Sequence, residues 1–247
     1  SFVYGEESLG IIVQRMPATF ELALAALLMA IVIGIPLGVF AGLKAEARIS
    51  KAIMAGSILG FSLPTFWVGL MFIMVFAVML GWLPSTGRGE VVPLMGINVS
   101  FLTLDGLAHL FLPALNLALF KISLVIRLAR AGTREIIHQD FIKFARAKGL
   151  STRRVVLVHL MKNIMIPVVT VLGLEFGGLI AFSVVTETVF AWPGMGKLII
   201  DSIQSLDRPI IVAYLMIIVL VFVIINLVVD VLYSILDPRV RLQDVTG

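Results

Sequence analysis

The chain has 247 residues, of which 60% are apolar and 14% charged, with a mean hydropathy of +1.10. Soluble domains run at about 45–50% apolar and about 25% charged, and longer chains split into domains instead of growing one larger core, so a soluble enzyme, a secreted scaffold and a disordered tail are excluded. With no cysteine there is no thiolate metal site, thiol nucleophile or disulfide, and the net charge of +4 matters by its placement along a membrane chain, not as a nucleic-acid signal.

A helix needs about 20 apolar residues to cross the hydrocarbon core. Five stretches meet that length: residues 19–42, 53–80, 108–131, 164–186 and 210–236. The alternating pattern of a membrane barrel is missing, so the expected fold class is an all-α membrane protein, a polytopic helical bundle. In the first span Gly34, Gly38 and Gly42 repeat every four residues, and in the fourth Gly173, Gly177 and Ala181 do so, a spacing that lets helix backbones approach closely in lipid. Pro36 inside the first span predicts a kink of the kind membrane helices tolerate.

Fourteen of the 19 Lys and Arg fall on one side of these spans, four on the other (Arg15, Arg88, Lys197 and Arg208), and Lys121 lies within a span. By the positive-inside rule the start of the chain is outside and its C-terminus cytoplasmic. No signal peptide precedes the first span, which implies one more span upstream and six in all.

About thirty residues between the third and fourth spans pattern as structure. Ile137, Phe141, Phe144 and Ala145 recur at helical spacing, with Arg134, Gln139, Lys143 and Arg146 directed elsewhere. Gly149 is a stop signal and Ser151 an N-cap, after which Val155, Val156 and Val158 start a second short helix. The result is a helical hairpin on the cytoplasmic face with its tip at residues 147–151. On patterning alone it reads equally as a basic amphipathic surface resting on anionic lipid headgroups.

Within the spans, Lys121, Glu175 and Asp230 are the charges to explain, while Glu21 falls near the outer interface. Lys121 and Glu175 both lie roughly 15–17 Å from the inner boundary at about 1.5 Å of rise per residue, and Asp230 roughly 9 Å, so depth favours a Lys121–Glu175 pair. The alternative is that each faces an aqueous cavity or another polar partner. His109, His138 and His159 form no cluster, and no H-E-x-x-H or paired-carboxylate arrangement appears. Pro193-Gly-Met-Gly-Lys197 is not a phosphate loop, because Ala191 and Leu198 stand where that pattern needs Gly and Ser or Thr. It reads as a turn after the fourth span, with Trp192 near the interface. The outer segments hold Glu6, Glu7, Glu90, Asp105, Glu187, Asp201 and Asp207 against four bases, a mildly acidic face that either receives a binding protein or is plainly solvated.

Asp140-Phe-Ile-Lys-Phe-Ala-Arg-Ala-Lys-Gly-Leu150, followed by His159, Asn163 and Ile166-Pro167, resembles the cytoplasmic motif of binding-protein-dependent ABC importer permeases, and the dipeptide/oligopeptide/nickel branch above all. Pro17-Ala-Thr-Phe-Glu-Leu-Ala-Leu24, Gly34-Ile-Pro-Leu-Gly38, Ser62-Leu-Pro-Thr-Phe-Trp67, Glu187-Thr-Val-Phe-Ala-Trp-Pro-Gly194, Asn226-Leu-Val-Val-Asp230 and Leu236-Asp-Pro-Arg239 match that branch in order along nearly the whole chain. Lys143-Phe144-Ala145 stands where the general motif has Glu-Ala-Ala, and Pro167 comes later than usual, as in the peptide branch.

The resemblance implies a type-I ABC importer transmembrane fold, with residues 1–15 an external segment after a missing N-terminal span. Residues 16–240 would be the transmembrane domain with a coupling hairpin at 132–163, and 241–247 a cytoplasmic tail. Asp140, Lys143, Ala145, Arg146, Ala147, Lys148, Gly149 and Leu150 would couple the chain to the ATPase. The implied partners are a second permease, two cytoplasmic ABC ATPase subunits that carry the ATP and Mg, an external solute-binding protein and membrane lipid. No cofactor, metal or catalytic residue is expected in this chain, and no nucleic acid. The expected location is the bacterial inner membrane. The solute stays open between peptides, glutathione and nickel chelates. The rival readings are an ion-gradient-driven secondary transporter with Lys121, Glu175 and Asp230 as its relay, and a non-transporting membrane scaffold.

Overall fold

A computed structural model describes residue 1 and residues 3–236. The Asp237-Pro-Arg239 part of the last motif, Arg239 and Arg241 of the basic count, and the predicted tail 241–247 lie outside the described residues. The chain is a helical bundle, in order α1 (Ser8–Leu43), α2 (Arg48–Ser62), α3 (Thr65–Phe72) running on into a π-helical stretch (Ile73–Met79), β1 (Val92–Leu94), β2 (Ile97–Val99), α4 (Leu104–Ile136), α5 (Asp140–Ala147), α6 (Thr152–Arg154), a second π-helical stretch (Val155–Leu160), α7 (Met161–Val189), α8 (Met195–Gln204) and α9 (Arg208–Leu236). Among the described residues, four unbroken helices are long and apolar enough to cross a membrane, and the pair formed by α2 and the helix from Thr65 to Met79 makes a fifth when counted as one broken span.

The core forms where α1 meets α4. Ala18, Leu22, Ala23, Ala26 and Ala30 lie buried along one face of α1, and Leu110, Ala114, Leu117 and Ala118 along α4. Alanines on that face bring the two backbones close, and the predicted glycine stripe brings them closer. A Cβ on Gly34 would stand 2.7 Å from the Val125 Cβ, one on Gly38 2.6 Å from the Ile126 carbonyl oxygen, and one on Gly42 2.5 Å from the Thr133 Cβ. The fourth-span stripe faces α9, with Gly173 against Val229 and Gly177 against Phe222. Van der Waals contact of this kind is what holds helices together where lipid supplies no hydrophobic drive. Helix α1 continues through both Pro17 and Pro36.

Three expectations need correction, and one element was not anticipated. The predicted span 53–80 is not one helix: α2 and α3 meet at 108°. The cause is Pro64, which lacks an N–H and pushes Leu63 out of the helical region to φ −83°, ψ 138°. The second arm of the predicted hairpin is not a separate short helix either. Ser151 caps its start, accepting from the Arg154 amide at 3.4 Å, and the helix then continues without interruption from Thr152 to Val189. The segment after the fourth span is more than a turn. It contains α8, whose Met195, Leu198, Ile199 and Ser202 are buried at helical spacing. The segment 82–107 contains a hairpin, β1 paired antiparallel with β2 across a tight turn at Met95 and Gly96, both with positive φ.

Close approach along α1 and α4 sets a stability expectation. Gly38→Ala should destabilise the protein by about 1–3 kcal/mol, since the added methyl meets backbone and cannot relax. Gly56→Ala on α2, where a Cβ meets nothing within 4 Å, should be neutral or slightly stabilising. Thermal unfolding of the two variants in detergent separates them, and equal shifts would remove the stripe from the packing argument.

Candidate functional site

Three sets of residues carry chemistry or mechanics: an elbow at the basic end of the bundle, an ion pair inside it, and a polar network at the opposite end.

The elbow is built on α5. Gly149, at φ +77°, ends this helix; its amide donates to the Arg146 carbonyl at 2.9 Å and the Leu150 amide to the Ala145 carbonyl at 3.3 Å. This is the Schellman arrangement, which needs a left-handed residue at its turn and so favours glycine. Ile142 and Ala145 on α5 are buried against Val155 at the start of the long helix, with Ile136, Ile137 and Leu150 around them. The short helix is therefore clamped to a 38-residue continuous one.

The opposite face of α5 holds the correction to the sequence pattern. Phe141 and Phe144, expected to point inward with Ala145, are exposed, Phe144 by 62%. A helix of two turns shows only one face to its support, and Ile142 and Ala145, three residues apart, occupy it. Lys148 lies over the Phe144 ring at 4.6 Å. Lys143 pairs with Asp140 at 2.9 Å, and this bonded ammonium holds the Asp140 carboxyl below the usual carboxylate range. Arg146 and Ala147 are exposed with them. Ile142 was missed in the sequence, although it is an apolar residue three positions from Ala145; Val155 was singled out there, but not as its partner.

Inside the bundle, Lys121 and Glu175 form an ion pair between α4 and α7. Lys121 is at the midpoint of α4 and Glu175 at the midpoint of α7, as the depth reckoning requires. Lys121 is buried and its Nζ also lies 5.4 Å from the centre of the Phe120 ring. Asp230 on α9 is exposed and takes no part in the pair, so the three charges do not form a relay among the described residues. Further towards the far end, Asn116 donates to the Thr186 hydroxyl at 3.0 Å and links α4 to α7 again.

At the opposite end, Glu187 and Trp192 have no solvent exposure. Glu187 Oε1 accepts from the Thr19 hydroxyl at 2.8 Å and the Ser183 hydroxyl at 2.9 Å, and Oε2 accepts from the Lys197 amide at 3.0 Å. The Met195 amide donates to Thr19 Oγ1 at 2.8 Å, so Thr19 and Glu187 together cap the start of α8. The glycines of Pro193-Gly-Met-Gly-Lys197 serve this contact: a Cβ at Gly194 would fall 2.4 Å from Glu187 Oε2, and one at Gly196 2.6 Å from the Val184 Cα. Trp192, expected at the membrane interface, instead donates its indole N–H to the Ala18 carbonyl at 2.8 Å.

Glu21 repeats the pattern on α1. Its Oε1 accepts from the Ser100 amide at 2.7 Å, the Ser100 hydroxyl at 2.8 Å and the Phe101 amide at 2.8 Å, and its Oε2 pairs with Arg88 Nη2 at 2.6 Å. Two of the seven outer acids are likewise structural and not solvated: Glu187 is buried, and so is Asp207. The described residues hold no cluster of three or more His, Cys, Asp or Glu suited to a metal ion.

The chain matches the family described as binding-protein-dependent transport system inner membrane component over residues 34–242. It is 40% identical over 239 residues to the di/tripeptide transport system permease protein DppB of Pseudomonas aeruginosa (strain UCBPP-PA14), covering 92% of this chain and 71% of that one. Identity to the oligopeptide transport system permease protein AppB of Bacillus subtilis (strain 168) is 39% over 231 residues, covering 94% and 71%. Among solved structures, an inward-facing conformation of the MetNI methionine ABC transporter aligns with a TM-score of 0.72 at 17% identity, covering 94% of this chain and 99% of that one, a likeness of fold.

The ion pair can be weighed by a double-mutant cycle. Lys121→Met and Glu175→Gln should each lower stability in detergent by about 1–3 kcal/mol, because each leaves a polar partner stranded in the bundle. The double variant should recover about 0.5–3 kcal/mol of the summed loss. Strictly additive losses would mean that the contact contributes nothing.

Proposed function

The chain belongs to the family of binding-protein-dependent transport system inner membrane components, and we propose that it forms half of the membrane pathway of an ATP-driven peptide importer. Its bundle has the fold of ABC importer permeases. The dipeptide and oligopeptide permeases among its relatives support a peptide or a similar small solute as cargo. In this reading an external binding protein delivers the solute, a second permease completes the pathway, and two ATPase subunits bind and hydrolyse ATP with Mg. The membrane is the inner membrane. The excess of Lys and Arg on one side supports a cytoplasmic position for α5 and the C-terminus.

The observation that carries the reading is the outward aromatic face of α5. Phe141 and Phe144 stand exposed on a helix whose other face is clamped against the long helix. Exposed aromatics of this kind, ringed by Asp140, Lys143, Arg146 and Lys148, suit a cleft on a partner protein, with the rings as anchors and the charges as rim. A displacement of α5 is then delivered through Ile142, Ala145 and Val155 to residues 152–189 as one rigid body. That helix also carries Glu175 and, two residues before its end, Glu187, so movement at the ATPase reaches both the interior of the bundle and its far end along one continuous helix. Asp140, Lys143, Ala145, Arg146, Ala147, Lys148, Gly149 and Leu150 are the coupling residues in this proposal, with Phe141 and Phe144 added.

In the assembled complex, Phe144→Asp should leave membrane insertion intact and weaken retention of the ATPase subunits on purification by at least tenfold. Gly149→Val should also insert normally, because a side chain there meets nothing within 4 Å, yet reduce solute-stimulated ATPase activity to its basal level as the turn rearranges. Full stimulation in the Gly149→Val complex would take α5 out of the coupling path.

A further inference from the structure

Glu175 is the midpoint of α7, yet its side chain is 39% exposed while that of Lys121 is 9% exposed. The two ends of one ion pair thus differ sharply in what surrounds them. A carboxylate turned towards acyl chains at that depth is expensive, and charges within spans face water-filled cavities or the bundle interior. The residues one and two turns away on the same face of α7 leave space around it. Gly178 is half-buried, and a Cβ built there would meet only Glu175 Oε2, at 4.0 Å, while Phe182 beyond it is 76% exposed. Lys121 binds Oε2, and Oε1 has no partner among the described residues.

We propose that Glu175 is an ammonium-binding point in the solute pathway, its open Oε1 accepting from a cationic group of the solute while Lys121 holds Oε2 from behind. This rests on the importer reading above and names a recognition element within it. Lys121 has two consequences for such a site. It fixes the carboxylate in one orientation, and it offsets the negative charge so that an ammonium group is held weakly. Weak holding is what passage requires, since a pathway site must bind well enough to admit the solute and poorly enough to release it. The α-ammonium of a peptide and the side chain of a lysine are the two sources of that chemistry.

The test uses the full complex of both permeases, the ATPase subunits and the binding protein in proteoliposomes. Because this chain has no cysteine, Gly178→Cys places a single thiol in it beside Glu175. That thiol should react with membrane-impermeant methanethiosulfonates, and the trimethylammonium-ethyl reagent should exceed the sulfonatoethyl reagent by about fivefold after each rate is divided by its rate with a free thiol in solution. Adding Glu175→Gln together with Lys121→Met should abolish the difference. A thiol that reacts with neither reagent while folded, but with both after denaturation, overturns the pathway placement; equal normalised rates overturn the cation preference. Both results hold whatever the solute is.

A second arm compares uptake of Lys-Ala and Glu-Ala. If the wild-type complex takes up neither, the peptide reading fails and the thiol arm alone decides the site. Where both are taken up, Glu175→Gln combined with Lys121→Met, which leaves no stranded ammonium, should lower the Lys-Ala to Glu-Ala ratio by about fivefold. An unchanged ratio with uptake of both peptides lowered assigns the site to the α-ammonium they share, and an unchanged ratio with uptake of both unchanged overturns the proposal.

Discussion

Glu187 has no contact with solvent, and a carboxylate so placed must fill its lone pairs from the protein itself. It draws on Thr19 of α1, Ser183 of its own helix and the amide of Lys197 at the start of α8. Those three sources lie on three elements, so satisfying one charge ties the far end of the bundle together. The surrounding residues follow from that requirement. Gly194 and Gly196 are needed because any side chain would occupy the space of the carboxylate or of the α7 backbone. Trp192 is drawn inward to close the network, and its indole N–H finds the Ala18 carbonyl. Arg88 lies 5.8 Å from the Trp192 ring and pairs with Glu21, which joins this network to the one that holds the β-hairpin.

The same rule, that polar groups away from water must find partners within the protein, divides the bundle into rigid and permissive parts. The far end is crossed by hydrogen bonds from α1, α4, α7 and α8. At the basic end, α5 depends on a small apolar cluster and a glycine turn. Between them runs the helix from Thr152 to Val189, joined at one end to a clamped lever and at the other to a buried carboxylate. Glu175 lies on this helix and binds Lys121 of α4, so the interior ion pair joins the same continuous element to its neighbour.

Much of this was legible in the sequence. The crossing helices announced themselves by length and hydropathy, because burial in lipid constrains composition directly. Lys121 and Glu175 could be paired by depth, since rise per residue converts position in a helix to position in the membrane. Gly149 could be placed because a helix that must end in a short loop favours a residue free to adopt positive φ. The family motifs carried the rest, since they run in order over nearly the whole chain.

What the tertiary structure alone decided concerns rotation and long-range partnership. Hydropathy assigns 53–80 to one span; Pro64 marks where it breaks, but the size of the bend, 108°, is a property of the folded chain. The apolar residues of α5 are evident from the sequence, yet which of them face inward depends on Val155, and Ile142 took the place expected of Phe144. Glu187 and Trp192 read as residues of an outer turn, because only the approach of α1 and the hidden amphipathic face of α8 make that place an interior. The sequence by itself determined how many residues lie in lipid and on which side the charge collects, as these are sums over local segments. Which side chains meet across the bundle was decided by the fold, because a contact between residues 168 or 174 positions apart leaves no trace in either segment alone.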